Sequence, residues 1–158
     1  MVRALPRRAV EVAIAYELSA ESTQAADRVF ATVVDLAHWD DYAGVRVQGP
    51  MRAVEVGDRI HAALDVAGVR IQATFRVDVV DPPKSGAAGR VEMASCGGPI
   101  DGCMIGTVVA TPAGSRLTFS LRGKGKGPVR FLETAVTLVA SRWVTHQSTH
   151  LLALAASG

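Results

Sequence analysis

His146 and His150 stand four residues apart in a segment of helical periodicity, so both imidazoles would leave the same side of a helix. Three kinds of chemistry fit that spacing. As metal ligands they would need further donors, but no glutamate follows His146 to make H-E-x-x-H and no third ligand is identifiable, so no metal site is expected. As structural groups, one would be buried and hydrogen-bonded and the other would sit at the surface. As site groups, His150, with or without His146, would face a cavity and orient a carbonyl or phenol, or move a proton near neutral pH.

Trp39, Tyr42 and Trp143 could stack on a flat ligand, or could simply fill a core. Tyr16 alternates with core residues, so its hydroxyl should find a partner inside or at a rim. Cys96 and Cys103 flank a Gly-Gly-Pro turn with no cation nearby in sequence to activate either thiol. The run Arg-Gly-Lys-Gly-Lys-Gly over 122–127 is not a phosphate-binding loop. It reads as a solvated loop, or as a basic patch that draws an anionic ligand or a phosphopantetheine-carrying partner to a cavity mouth. No convergent pair of carboxylates is visible: Asp101 sits beside a turn, and Asp40 and Asp41 follow a tryptophan on a surface-like segment.

Composition narrows the classes further. The 158 residues are 49% hydrophobic and 20% charged, which is globular and large enough to bury a core without disulfides. A net charge of +2 argues against a nucleic-acid binder. No apolar run approaches the ~20 residues of a membrane span, and no secretory leader is evident at the N-terminus, so a cytoplasmic protein is expected. Fourteen arginines against three lysines, with no asparagine, look like a GC-rich bacterial genome.

The elements that must position these groups follow from periodicity. Residues 1–9 read as a tail and 10–158 as one domain. Val10, Val12, Ile14, Tyr16 and Leu18 alternate with smaller or charged residues as a half-buried strand, and 19–24 is a polar connection. A short helix is expected over 25–34, followed by the polar segment of Trp39. Strands are expected over 45–56 (interrupted at Gly49-Pro50), 59–66, 69–80, 90–96, 101–111 and 115–122, with 123–127 a loop. Alternation over 69–80 places Phe75, Val77 and Val79 inward and Arg70 and Arg76 outward, and the same reasoning places Met93, Ile105 and Phe119 on the concave face. Pro128 suits the first turn of a helix running to about 155. Its inner stripe would hold Leu132, Val136, Val139, Trp143, Gln147, His150 and Leu154, with His146 at the edge and Ser148 on the far side.

This order resembles the START-like superfamily of polyketide cyclases/dehydrases and lipid-transport proteins. Val29-Phe30, Asp35 and Trp39 match its V-W/F…D…W segment. Gly57-Asp58 matches the glycine before its third strand, and Ser-Arg-Leu-Thr-Phe over 115–119 is similar to its G-T-x-L-T strand. The stretch 19–24 departs from the pattern: it is longer than usual and lacks the proline that commonly precedes the first helix. The resemblance implies an α+β helix-grip fold, in which a seven-stranded curved antiparallel sheet wraps around a long C-terminal helix, with two short helices after the first strand. It also implies a deep cavity for a hydrophobic small molecule, a lipid or polyketide-type compound, and no cofactor. The role would be that of a carrier, of sequestration or of self-resistance in natural-product biosynthesis. The alternative is an aromatase/cyclase that closes a poly-β-ketone by aldol condensation and dehydration, with an acyl carrier protein as partner. A monomer or homodimer would serve either. The ligand-contacting set expected on this basis is Trp39, Tyr42, Phe75, Val77, Met93, Ile105, Phe119, Trp143, His146 and His150. Its almost wholly apolar strand positions favour binding over catalysis.

Overall fold

The computed structural model describes residues 13–158, so the expected tail and the first residues of the first expected strand lie outside it. Strand β1 (Ile14–Ser22) runs on into the segment read as a polar connection, through Ser22. It does so because its polar residues have cross-strand partners: the Ser19 hydroxyl lies 2.8 Å from that of Thr118, and Glu21 pairs with Arg116. Helix α1 (Ala26–Val34) buries Val29, Phe30, Val33 and Val34, and a single 3₁₀ turn (Leu36–His38) leads to Trp39.

The remaining strands are β2 (Val45–Gln48), β3 (Arg59–Val66), β4 (Val69–Asp81), β5 (Gly89–Gly97), β6 (Ile100–Thr111) and β7 (Gly114–Gly125). All pairings are antiparallel in the order β1-β7-β6-β5-β4-β3-β2, so consecutive strands β1 and β2 form opposite edges and α1 with the Trp39 loop spans between them. The expected strand over 45–56 stops at Gln48; beyond Gly49-Pro50 the chain returns only as a bridge from Ala53 to Asp35. Between β3 and β4 the turn is two residues long, with Ala67 and Gly68 both at positive φ (49° and 78°), the conformation that matches the twist of paired strands.

Two corrections to the strand faces come from register. At Asp78 the pairing of β4 with β5 slips by one residue, Val77 opposing Met93 and Val79 opposing Glu92. Val80 rather than Val79 therefore packs against the core. On β6, Met93 pairs with Met104 and Glu92 with Ile105, so Met93 and Ile105 cannot share a face. The inward residues of β6 are Met104, Gly106 and Val108, and Ile105 lies on the outer face between Glu92 and Ser120. Gly106 hid this alternation. A Cβ there would stand 3.2 Å from the Phe119 ring, which occupies the space the glycine leaves.

Strand β7 also runs past its expected end. Gly123, Lys124 and Gly125 pair with Gly102, Asp101 and Ile100, so most of the basic run is ordered strand and not a solvated loop. A 3₁₀ segment (Gly127–Leu132, with Pro128 in its first turn) precedes the long helix α2 (Glu133–Ser157). The buried side of α2 is Val136, Trp143, Val144, Gln147, Ser148, Leu151 and Ala155. Over its C-terminal half this is rotated from the expected stripe, bringing Ser148 inside and leaving His150 and Leu154 at the flank. Ser148 can be buried because its hydroxyl donates to the Val144 carbonyl one turn back (2.8 Å), so no polar group is left unmatched.

Candidate functional site

Between the sheet and α2 lies a cavity of about 130 Å³. Its walls are Met93, Met104, Phe75, Phe119 and Leu121 from the sheet, Val33 and Val34 from α1, and Val136, Ala140 and Trp143 from α2. Trp39 lines it from the loop after α1. The glycines Gly102 and Gly123, opposite one another on β6 and β7, form part of the wall without side chains. Cys103 and Arg122 are paired with each other on the outward register of the same strands and, among the described residues, are the only ionisable ones in the lining. Arg70 and Arg76 lie on the outer face in ion pairs with Asp65 and Asp78.

Trp39 is held on three sides. Its indole Nε1–H donates to the Val33 carbonyl (2.8 Å), its ring meets Phe119 edge-on at 5.7 Å, and it leans on Trp143 at 5.3 Å with 35° between planes. Aromatic pairs of this kind add about 0.5–1.5 kcal/mol beyond the area they bury. The loop is fastened to α2 by the next residue. Fully buried Gln147 donates from Nε2 to the Asp40 carbonyl (2.6 Å) and to its carboxylate (2.9 Å), and accepts from the Asp40 amide (3.4 Å). His146 Nε2 donates to the same carboxylate at 3.1 Å, and His150 Nε2 donates to the His38 carbonyl at 3.0 Å. Burial pushes the Asp40 carboxyl up, but hydrogen bonds from His146 and Gln147 and the nearby charges of His150 and His146 outweigh it and hold it below the usual carboxylate range.

The expected site residues thus divide. Trp39, Phe75, Met93, Phe119 and Trp143 meet in the cavity wall. Val77 is fully buried on the same face of β4 but belongs to packed core. Ile105 is outside, as its register requires. Tyr42 and His146 lie outside the cavity, stacked 3.9 Å apart in a shallow depression with Arg142, Thr145 and Thr149. His150 is stacked 6.0 Å behind His146 and does not reach the cavity, so the expectation that it lines the pocket is corrected: its imidazole holds the loop. Tyr16 finds its partner at the rim, 3.0 Å from the Thr145 hydroxyl. Among the described residues no group of three or more His, Cys, Asp or Glu side chains is placed to hold a metal, and no helix is long and apolar enough to cross a membrane.

Sequence reasoning missed the role of Gln147. The signal was present: an amide within an apolar helix stripe must have a partner, and the structure supplies it in Asp40.

A curved seven-stranded antiparallel sheet closed by a long C-terminal helix over an apolar cavity is the helix-grip, START-like fold. No protein-family model and no curated protein matches the sequence. Solved structures do match over nearly the whole chain. The Zhui aromatase/cyclase from Streptomyces sp. R1128 is 16% identical, with 89% of this chain and 92% of that one covered and a TM-score of 0.68. TTHA0849 from Thermus thermophilus is 18% identical, with 92% and 99% covered and a TM-score of 0.68. Ara h 8.0201 is 11% identical, with 91% and 98% covered and a TM-score of 0.58. At these identities the likeness is one of fold.

Proposed function

We propose that the protein binds a flat, apolar small molecule of polyketide or lipid type in the cavity between the sheet and α2, and acts by carrying or sequestering it. One observation carries this reading: the cavity is walled almost entirely by carbon, with two tryptophans in its lining. His146, which donates to the Asp40 carboxylate, lines the outer depression with Tyr42 and not this cavity. The aromatase/cyclase reading is supported by the likeness to the Streptomyces enzyme, but it requires proton-transferring groups within reach of the substrate. Sequestration would suit self-resistance in a cell that makes a reactive compound.

The cavity's size bears on the ligand. About 130 Å³ is close to the space that holds a benzene ring in an engineered apolar cavity, and well below the ~300–1,000 Å³ of drug-sized pockets. One ring fits as the walls stand; a polycyclic ligand requires the walls to move apart. The basic run beside the Gly102–Gly123 wall would favour an anionic ligand group or an acidic carrier protein at that end.

The chain contains two tryptophans and both line the cavity, so intrinsic fluorescence reports occupancy directly. Titration with flat aromatic polyketides and with fatty acids should give saturable quenching, and mass spectrometry of the mixture should show the compound unchanged. Absence of saturable quenching across both classes overturns the binding reading; a cyclised, dehydrated product would establish the enzymatic one.

A further inference from the structure

Strand β6 carries two glycines, and they are not alike. At Gly102 the backbone itself forbids a side chain, since a Cβ would stand 2.4 Å from the Arg122 carbonyl oxygen. Gly106 is under no such demand. It is not among the residues at positive φ, and the three atoms nearest to a Cβ built on it all belong to side chains. They are Cγ1 of Val91 at 3.0 Å and the Phe119 ring carbons Cε1 and Cδ1 at 3.2 and 3.5 Å. Gly106 is buried in mid-strand, paired with Val91 on β5 and Phe119 on β7. A glycine in that position weakens a strand, and commonly marks a place where something must approach closely. Here the Phe119 ring does so, and both Phe119 and Val91 line the cavity.

We infer that Gly106 is a specificity-determining residue, setting the size of ligand the cavity admits: its missing side chain lets the Phe119 ring lie back against the sheet and leaves room for one planar aromatic ring. The inference rests on the binding role proposed above and adds to it a residue behind the cavity wall. A methyl group at 106 must push Val91 and Phe119 aside, because a packed interior has no slack to absorb it. Val91 is β-branched and stiff. Phe119 is met edge-on at 5.7 Å by Trp39, which the Val33 carbonyl holds in turn. The open space beside both is the cavity. Its volume of about 130 Å³ is already close to that of an engineered cavity that holds benzene. Losing space equal to about one methyl group takes it below what a ring needs, while a single xenon atom still fits.

The test titrates the full-length protein with benzene by calorimetry and with xenon by ¹²⁹Xe NMR. In Gly106→Ala the affinity for benzene should fall about tenfold, within the usual cost of overpacking by one methylene, and that for xenon should stay within about threefold. Shortening the displaced residue should reverse the loss, so Gly106→Ala with Phe119→Leu should regain benzene binding to within about threefold of the unaltered protein. A merely structural glycine would instead lower the melting temperature and weaken both probes alike. That result, or unchanged benzene affinity in Gly106→Ala, would overturn the inference and leave the binding role standing. Failure of the unaltered protein to bind benzene, xenon or the larger ligands would overturn the binding role and the inference with it. If Gly106→Ala does not fold, Phe119→Leu supplies the background: adding Gly106→Ala to it should lower the naphthalene-to-benzene affinity ratio about tenfold, and an unchanged ratio overturns the inference.

Discussion

Replacing Gln147 by leucine tests whether the amide is what holds the Trp39 loop on α2. Leucine is close in volume and the site is fully buried, so the substitution opens little space and removes chiefly hydrogen bonds. Three are lost: those to the Asp40 carbonyl at 2.6 Å and carboxylate at 2.9 Å, and the longer one from the Asp40 amide at 3.4 Å. A typical net value is about 0.5–1.5 kcal/mol each. The carboxylate is partly open to solvent and can recover water, which discounts its share. The expected loss is therefore about 2–3 kcal/mol, seen as a lower denaturation midpoint with an unchanged slope and a melting temperature lower by about 5–10 °C. Hydrogen exchange should localise the effect: amides of residues 38–42 should exchange faster while those of β6 and β7 follow only the global change. A midpoint shift below about 0.5 kcal/mol, or faster exchange spread evenly over the sheet, would refute the account of the loop as fastened by Gln147.

Phe119→Ala should cost about 3–5 kcal/mol in chemical denaturation and, where the protein stays folded, should raise the relative affinity for two-ring over one-ring ligands by enlarging the cavity. Met104→Lys should prevent stable folding, whereas Ile105→Lys on the outer face should shift the melting temperature by only a few degrees. His150→Ala should leave ligand affinity within about twofold in the fluorescence titration, because its imidazole holds the His38 carbonyl and does not reach the cavity. Asp40 has a lowered folded-state pKa, so its contribution to stability is complete above the ordinary Asp value of about 3.9 and is lost as pH falls through the folded value. In melts from pH 6 to pH 2.5, the unaltered protein should lose more stability over the acid end than Asp40→Asn.

Where side chains alternate without interruption, period two was enough to assign a face. Ile71, Ala73, Phe75 and Val77 are inward as the pattern requires, and Arg70 and Arg76 are outward. It failed where a residue carries no pattern information or where pairing slips. Gly106 and Gly102 occupy inward positions of β6 but look neutral in sequence, so Ile105 took the place of Met104. The slip at Asp78 is a property of two strands together and is invisible in either alone. On α2, hydroxyl residues that satisfy themselves against the preceding turn are indifferent to burial, which blurred the stripe and displaced His150 by a fraction of a turn. The cavity was legible as a collection of apolar residues. The fastening of its loop was not, because Gln147 and Asp40 are 107 positions apart and only the folded chain brings them together.

The pairing of β1 with β7 sets a schedule for synthesis. Ile14 finds its partner in Gly123 and Ser22 in Ser115, so β1 leaves the ribosome roughly a hundred residues ahead of the strand that receives it. Until then its edge is open, and α2, which closes the cavity, has yet to be made. Contacts of such long sequence separation form late and slow the folding of the whole, since the loop between them must close first. The nascent chain can assemble the β3–β6 meander from neighbours alone, but a half-built sheet of this kind exposes its concave apolar face. That interval is when the protein is most open to aggregation and to chaperone capture, and a ligand supplied during translation would find no enclosed site.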